Sequence, residues 1–150
     1  MKIQTASADD YLAHMALVAK NYPADIAKAH NIPLQSAKEL AKKQTVDELP
    51  QGQETKGNYF YVLRQGEETL GYLWLKDFTA TYLCVFDLYL LEPFRGKGYG
   101  SQAMDWVKAQ AKTLNCQSVW LHVFGFNQRA IRFYQKCGYD LVDVNMRLDV

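Results

Sequence analysis

Val85-Phe86-Asp87-Leu88-Tyr89-Leu90-Leu91-Glu92-Pro93-Phe94-Arg95-Gly96-Lys97-Gly98-Tyr99-Gly100-Ser101 reads as a buried strand, a proline-marked stop, a cationic glycine loop and the start of a helix. Gly96, Gly98 and Gly100 alternate with Lys97 and Tyr99, so the loop backbone carries few side chains that would block a ligand. The helix that follows offers unpaired N–H groups and the positive end of its dipole, which favour an anion. Arg95 and Lys97 add charge beside this phosphate-sized nest of amides. The expectation is a phosphate-bearing ligand at the strand-to-helix turn.

The strand feeding the loop, Thr81–Leu91, is the most apolar of three in succession, and a strand apolar on both faces belongs inside a sheet. Upstream, Tyr59–Arg64 and Leu70–Lys76 are joined by Gln65-Gly66-Glu67-Glu68, a hairpin signal with glycine in the turn. Downstream, Ser101–Leu114 is helical, with Ala103, Trp106, Val107, Ala111 and Leu114 inward and Asn115 as its stop. Ser118–Val123 is another strand. Asn127 caps a short helix that runs to Cys137, Gly138 ends it, and Tyr139–Leu148 is predicted as the final strand.

At the other end, Lys2–Ala6 is a short first strand, and Ser7-Ala8-Asp9-Asp10 supplies an N-cap and an acidic first turn. Leu12, Met15, Ala16 and Ala19 follow at helical spacing. Pro23 and Pro33 each mark a place where a new helix could start. Leu34–Leu49 is amphipathic, with Ala37, Leu40, Ala41 and Val46 on one side. A polar loop, Pro50–Gly57, separates these helices from the strands. The order is β-α-α-(β-β-β)-α-β-α-β without a domain boundary, so residues 1–150 form one α/β (α+β) domain. The helix 101–114 crosses over, right-handed, to a strand parallel to the third of the meander. Ligands of such sheets sit beyond the carboxyl ends of strands, where the glycine loop lies.

Composition narrows the partners. The formal net charge is +1, so no global basic field argues for nucleic acid, and any anion site must be local. Hydrophobic residues make up 49% and charged residues 22%, ordinary globular chemistry rather than disorder. Cys84, Cys116 and Cys137 are odd in number and widely spaced, without CxxC or Cys/His ligand spacing; neither zinc nor a disulfide framework is indicated, and no metal is expected. The N-terminus lacks the apolar run of a signal peptide, and no apolar stretch is long enough to span a bilayer. A soluble cytoplasmic protein without a membrane partner is expected.

The loop is not a Walker A motif, and its third glycine comes one residue early for a dinucleotide fingerprint. Arg95-Gly96-Lys97-Gly98-Tyr99-Gly100 fits Arg/Gln-x-x-Gly-x-Gly/Ala, which resembles the acetyl-coenzyme A loop of the GNAT superfamily of N-acetyltransferases. The lead-in Asp87-Leu88-Tyr89-Leu90-x-x-Pro93-Phe94 is similar to that family too. So is Asn127-Gln128-Arg129-Ala130-Ile131-Arg132-Phe133-Tyr134-Gln135-Lys136-Cys137-Gly138-Tyr139, matching Asn-x-x-Ala-x-x-Phe/Leu-Tyr-x-x-x-Gly-Phe/Tyr. The resemblance covers about Asn58 to Leu148 and is thin over residues 6–57, the usual acceptor side.

The resemblance implies a GNAT-like mixed, mostly antiparallel central sheet flanked by helices. It implies acetyl transfer from acetyl-coenzyme A to a primary amine: a small metabolite, a polyamine-like compound, or a protein N-terminus or lysine. Gly96, Lys97, Gly98, Tyr99, Gly100 and Ser101, with Arg95, would take the pyrophosphate. Leu88, Tyr89 and Leu90 would pair with the pantetheine arm, and Asn127, Ala130 and Phe133 would approach it from the other side. A mid-sheet opening between strands 81–91 and 118–123 is needed to admit it. Tyr134 stands at the position of the family's acid for the leaving thiolate. Cys84, Val85 and Phe86 stand where several members carry a glutamate base, leaving Asp87 as the nearest carboxylate, with Glu92 or an ordered water chain next. Cys84 and Cys137 lack an activating partner in the sequence, and His122 reads as a satisfied strand histidine. A homodimer is a reasonable assembly for the family. The rival reading is a non-catalytic acyl-coenzyme A-binding or regulatory module on the same fold.

Overall fold

The computed structural model describes residues 1–79 and 81–150. Ser7 opens the first helix with a capping box: its hydroxyl accepts from the Asp10 N–H at 3.1 Å, and the Asp10 carboxylate accepts from the Ser7 N–H at 3.0 Å. From there α1 (Ala8–His30) runs through Pro23 to a left-handed Asn31 at φ 52°. No new helix starts at Pro23. The missing N–H leaves one turn unlinked, but Pro23 is buried there, and packing of Ile26 on Ala37 and Ala41 carries the helix across. Those two alanines belong to α2 (Leu34–Glu48), which Pro33 starts as expected. Leu12, Leu40 and Val46 are exposed rather than inward, and α2 meets Ile26 of α1 through Ala37 and Ala41.

The sheet contains β1 (Lys2–Thr5), β2 (Asn58–Gln65), β3 (Glu68–Asp77), β4 (Tyr82–Leu90) and β5 (Ser118–Leu121), in that spatial order. All neighbours are antiparallel except β4 and β5, which are parallel and joined through α3 (Tyr99–Thr113). This is the mixed, mostly antiparallel sheet expected. One face packs Leu63, Leu73, Leu75, Leu83 and Val85 against Ala103, Met104, Val107 and Ala111 of α3. Each fully buried leucine there contributes roughly 2 kcal/mol through removal from water. The other face packs Phe60, Trp74 and Phe86 against Ala6, Leu49 and the α1 side chains Tyr11 and Met15. Trp106 of α3 meets Tyr61 edge-on at 4.8 Å, whereas Leu114 lies exposed beyond the helix end. No helix of the described residues is long and apolar enough to cross a membrane.

α4 (Gln128–Lys136) starts where the Asn127 side chain accepts from the Ala130 N–H at 3.1 Å, and Gly138 follows at φ 96°. The expected final strand at Tyr139–Leu148 is absent: this segment has no regular secondary structure and joins no sheet. Only Tyr139 at its start packs against the core.

Candidate functional site

The site grows out of an irregularity in β4. Trp74 pairs with Asp87 and Leu75 with Val85, so Phe86 is an extra residue and the strand bulges there. Leu83 and Val85 face the α3 core, and strict alternation would send residue 87 the same way. The bulge instead puts Phe86 and Asp87 together on the α1 face, and Leu88 and Leu90 back on the α3 face.

Beyond the bulge β4 and β5 part. The parallel ladder runs from Tyr82–Ser118 to Val85–Leu121, and among the described residues nothing in the sheet pairs with Phe86–Leu90 on that side. The Leu91 N–H bonds across to Leu70 on β3 at 2.9 Å. Alternation of the antiparallel ladder then turns the backbone groups of Leu88 and Leu90 into the opening. The ladder thus parts between β4 and β5, where the resemblance implies an opening.

At its mouth lies the glycine turn. Gly96 and Gly98 hold φ of 72° and 86°, left-handed values that favour glycine, and a Cβ at either position would meet nothing within 4 Å. Gly98 is the N-cap of α3 and supplies no side-chain cap; the first helical bond is Gln102 N–H to Gly98 O at 3.1 Å. The amides of Tyr99, Gly100 and Ser101 therefore precede that bond without a side-chain partner. Lys97 is exposed beside them. Arg95 is partly committed elsewhere: its Nε donates to the Leu90 carbonyl at 2.8 Å and its guanidinium lies 5.2 Å from the Tyr89 ring. It braces the turn against the strand end. Gly100 lets α4 approach, since a Cβ there would stand 3.1 Å from Phe133 Cζ and 3.7 Å from Leu90 Cδ1. Asn127 spends its Oδ1 on the Ala130 N–H.

Asp87 receives a partner that the sequence did not reveal. His14 of α1, 1% exposed, lies with Nε2 2.7 Å from Asp87 Oδ2, while the carboxylate is 34% exposed. The imidazole stacks on Tyr72 at 5.2 Å, and its Nδ1 is buried without a hydrogen-bond partner. An unpaired Nδ1–H would be costly in that place, so the tautomer that carries its proton on Nε2 and donates it to Asp87 is favoured. Asp25 lies about three turns further along the same side of α1: burial and the Asp87 charge push its carboxyl up, against an opposing pull from Lys28.

Tyr134 completes the group from α4. Burial first, and then the negative charge of Asp87, push its phenol up to about 12, so it keeps its proton near neutrality. Tyr139, 5.8 Å away between ring centroids, is raised to about 12 by burial and by Cys137. Burial likewise pushes the Cys84 and Cys137 thiols up, the opposite of what a nucleophilic cysteine needs. His122 is exposed on the loop after β5, edge-on to Phe124 at 4.9 Å, and lies outside the centre. Phe124 itself sits against Tyr22 and His30 of α1, so this loop walls the site from the α1 side.

The Acetyltransferase (GNAT) family model matches residues 26–139. The uncharacterised N-acetyltransferase YycN of Bacillus subtilis (strain 168) is 30% identical over 142 residues, covering 92% of this chain and 91% of that protein. The crystal structure of YycN matches with a TM-score of 0.92 at 27% identity over 99% of each chain. The PaiA N-acetyltransferase of Thermoplasma acidophilum, solved in complex with coenzyme A, matches with a TM-score of 0.70, covering 96% of this chain and 92% of that one. At 19% identity that last likeness is one of fold.

Proposed function

Since the chain belongs to the GNAT acetyltransferase family, we propose that it moves the acetyl group of acetyl-coenzyme A directly onto a primary amine. The observation that carries this reading is a free β4 edge, Leu88–Leu90, running into an uncapped helix N-terminus at Gly98. The two together suit a ligand with an amide-bearing arm at one end and phosphates at the other.

In this reading the Tyr99, Gly100 and Ser101 amides and Lys97 hold the pyrophosphate. Leu88 and Leu90 offer backbone groups to the pantetheine arm, Asn127 its free amide nitrogen, and Ala130 and Phe133 the opposite wall. Bound acetyl-coenzyme A supplies an activated acyl carbon and a thiolate leaving group. Asp87 accepts a proton from the incoming ammonium, and His14 holds its carboxylate in one orientation through Nε2–H. Tyr134 keeps a proton on its phenolic oxygen for the departing thiolate. Asp25 adds a second carboxylate near Asp87, and two carboxylates favour a cationic acceptor approaching between α1 and the Phe124 loop. Placement of the two reactants does most of the remaining work.

A mass-spectrometric screen of small amines, polyamines and peptides with acetyl-coenzyme A tests the proposal. Amine-dependent thiol release with a matching N-acetylated product is expected. Binding of acetyl-coenzyme A without release for any amine would favour the non-catalytic module instead.

A further inference from the structure

Beside the opening, the α1 face of the sheet carries a row of side chains that ends in a cation. Tyr72 of β3 and Tyr89 of β4 are direct cross-strand partners, so they share a face. Tyr72 stacks on His14, which makes it the α1 face. Asp87, bonded to His14, stands on the same face two residues before Tyr89, roughly 7 Å along the strand.

Beyond Tyr89 comes Arg95. Its guanidinium lies 5.2 Å from the Tyr89 ring, and its Nε donates to the Leu90 carbonyl at 2.8 Å. Those contacts bring the group onto the α1 face, whereas α3, which presents the glycine-turn amides, packs on the opposite one. They engage one N–H and the flat face of the guanidinium and leave its Nη edge open. Among the described residues no carboxylate lies within ion-pair distance of Arg95, and the residue is exposed. Arg64, which also reaches this face, is already held by Asp10 at 2.7 Å and by Thr69 at 2.9 Å. A guanidinium oriented by a ring and a carbonyl, with its outer edge unpaired, suits a carboxylate received through two parallel N–H bonds.

We propose, on the acetyl-transfer reading given above, that Arg95 recognises the far end of the acceptor, and that the acceptor class is an amine that also carries a carboxylate. The ammonium lies at Asp87, the carbon chain crosses the Tyr72 and Tyr89 rings, and the carboxylate meets the Nη edge of Arg95. Opposite charges at the two ends of the row set the direction of the acceptor. A reversed molecule would place its carboxylate against Asp87 and its ammonium against Arg95. A diamine laid along the row meets the second of those repulsions, so the row selects against it.

Steady-state acetylation of matched acceptors tests this: β-alanine, γ-aminobutyrate and ε-aminocaproate, the carboxamide of each, and diamines of equal length. At equal length kcat/KM should favour the acid over its carboxamide by about tenfold or more. The advantage should be larger for ε-aminocaproate than for β-alanine, whose chain is too short to reach from Asp87 to Arg95. Arg95→Met keeps an aliphatic chain on Tyr89 without the charge and should bring the acid-to-carboxamide ratio close to one. Arg95 also braces the glycine turn, but weakened cofactor binding cancels in a ratio between two acceptors. Arg95→Lys, a charge without the fork, should keep part of the preference. Carboxamides or diamines acetylated as fast as the acids, or a preference for acids that survives in Arg95→Met, would overturn the assignment and leave acetyl transfer standing. Acetyl-coenzyme A bound with no amine of any series acetylated would overturn both.

Discussion

His14 Nε2 and Asp87 Oδ2 lie 2.7 Å apart, across 73 residues of sequence, with the second imidazole nitrogen buried and unpartnered. The pair ties α1 to the bulge of β4 and gives the carboxylate a fixed orientation at the opening between β4 and β5. Two substitutions separate its roles. Asp87→Asn keeps an oxygen for the Nε2–H, so its stability should stay near that of the parent while turnover falls by about 10²–10⁴-fold. Asp87→Leu leaves both ring nitrogens buried without partners and should also lower unfolding stability by about 1–3 kcal/mol. Denaturant unfolding beside steady-state rates distinguishes the two. An acidic limb of the rate profile that stays in place in Asp87→Asn would assign the base elsewhere.

His14→Ala tests the imidazole as a positioning group. Turnover should fall by about a hundredfold while the KM for acetyl-coenzyme A holds, because the cofactor groove does not include α1. A rise in that KM with turnover preserved would contradict this role.

Tyr134 has a pH signature. Its phenol ionises near the ordinary 10.0 in the unfolded chain and at about 12 in the folded one. Between those values the unfolded chain has lost the proton and the native one keeps it, so stability falls as pH rises through this window. Tyr134→Phe should flatten that fall and, at neutral pH, slow turnover with cofactor binding intact. Ultraviolet titration of tyrosinate should lose one of its late-titrating phenols in the variant. Equal turnover at all pH values would remove Tyr134 from the chemistry.

Gly98 lets charge be separated from backbone strain. It sits at φ 86° with open space where a Cβ would be. Asn tolerates that conformation better than most residues and Asp is close to it in shape, so the pair differs chiefly in charge. Calorimetry should find acetyl-coenzyme A affinity largely kept in Gly98→Asn and lost by tenfold or more, about 1.4 kcal/mol, in Gly98→Asp. Equal affinities would exclude an anion at this turn.

Gly71 on β3 supports the groove from behind. A Cβ there would lie 2.2 Å from the Tyr89 carbonyl oxygen, a backbone atom that cannot rotate aside. Gly71→Ala should cost about 1–3 kcal/mol in thermal unfolding and weaken cofactor binding by displacing Tyr89 and Leu90.

The glycine turn and the helix behind it were legible because they are local. A glycine turn between an apolar strand and a helix fixes its own geometry, and the Asn127–Tyr139 element places α4 behind it. The orientation of Asp87 was not legible, since the Phe86 bulge depends on how β3 pairs with β4 and inverts the alternation at one residue. His14 was missed for a related reason. α1 has no single apolar stripe: His14 faces the rings of Tyr72 and Phe60 on the sheet, and Ile26 faces Ala37 and Ala41 on α2. A histidine amid such a divided pattern stands out only when its aromatic neighbours are known. The tail shows the reverse case: Val142, Val144, Met146, Leu148 and Val150 alternate at the period of a strand, yet the segment joins no sheet.

Amide exchange at the open edge tests the central claim most directly. With acetyl-coenzyme A added, the Leu88 and Leu90 amides and those of Tyr99, Gly100 and Ser101 should slow together, whereas ATP or NAD at the same concentration should leave Leu88 and Leu90 unchanged. Unaltered exchange at both segments with acetyl-coenzyme A, or equal protection by all three compounds, would contradict the account.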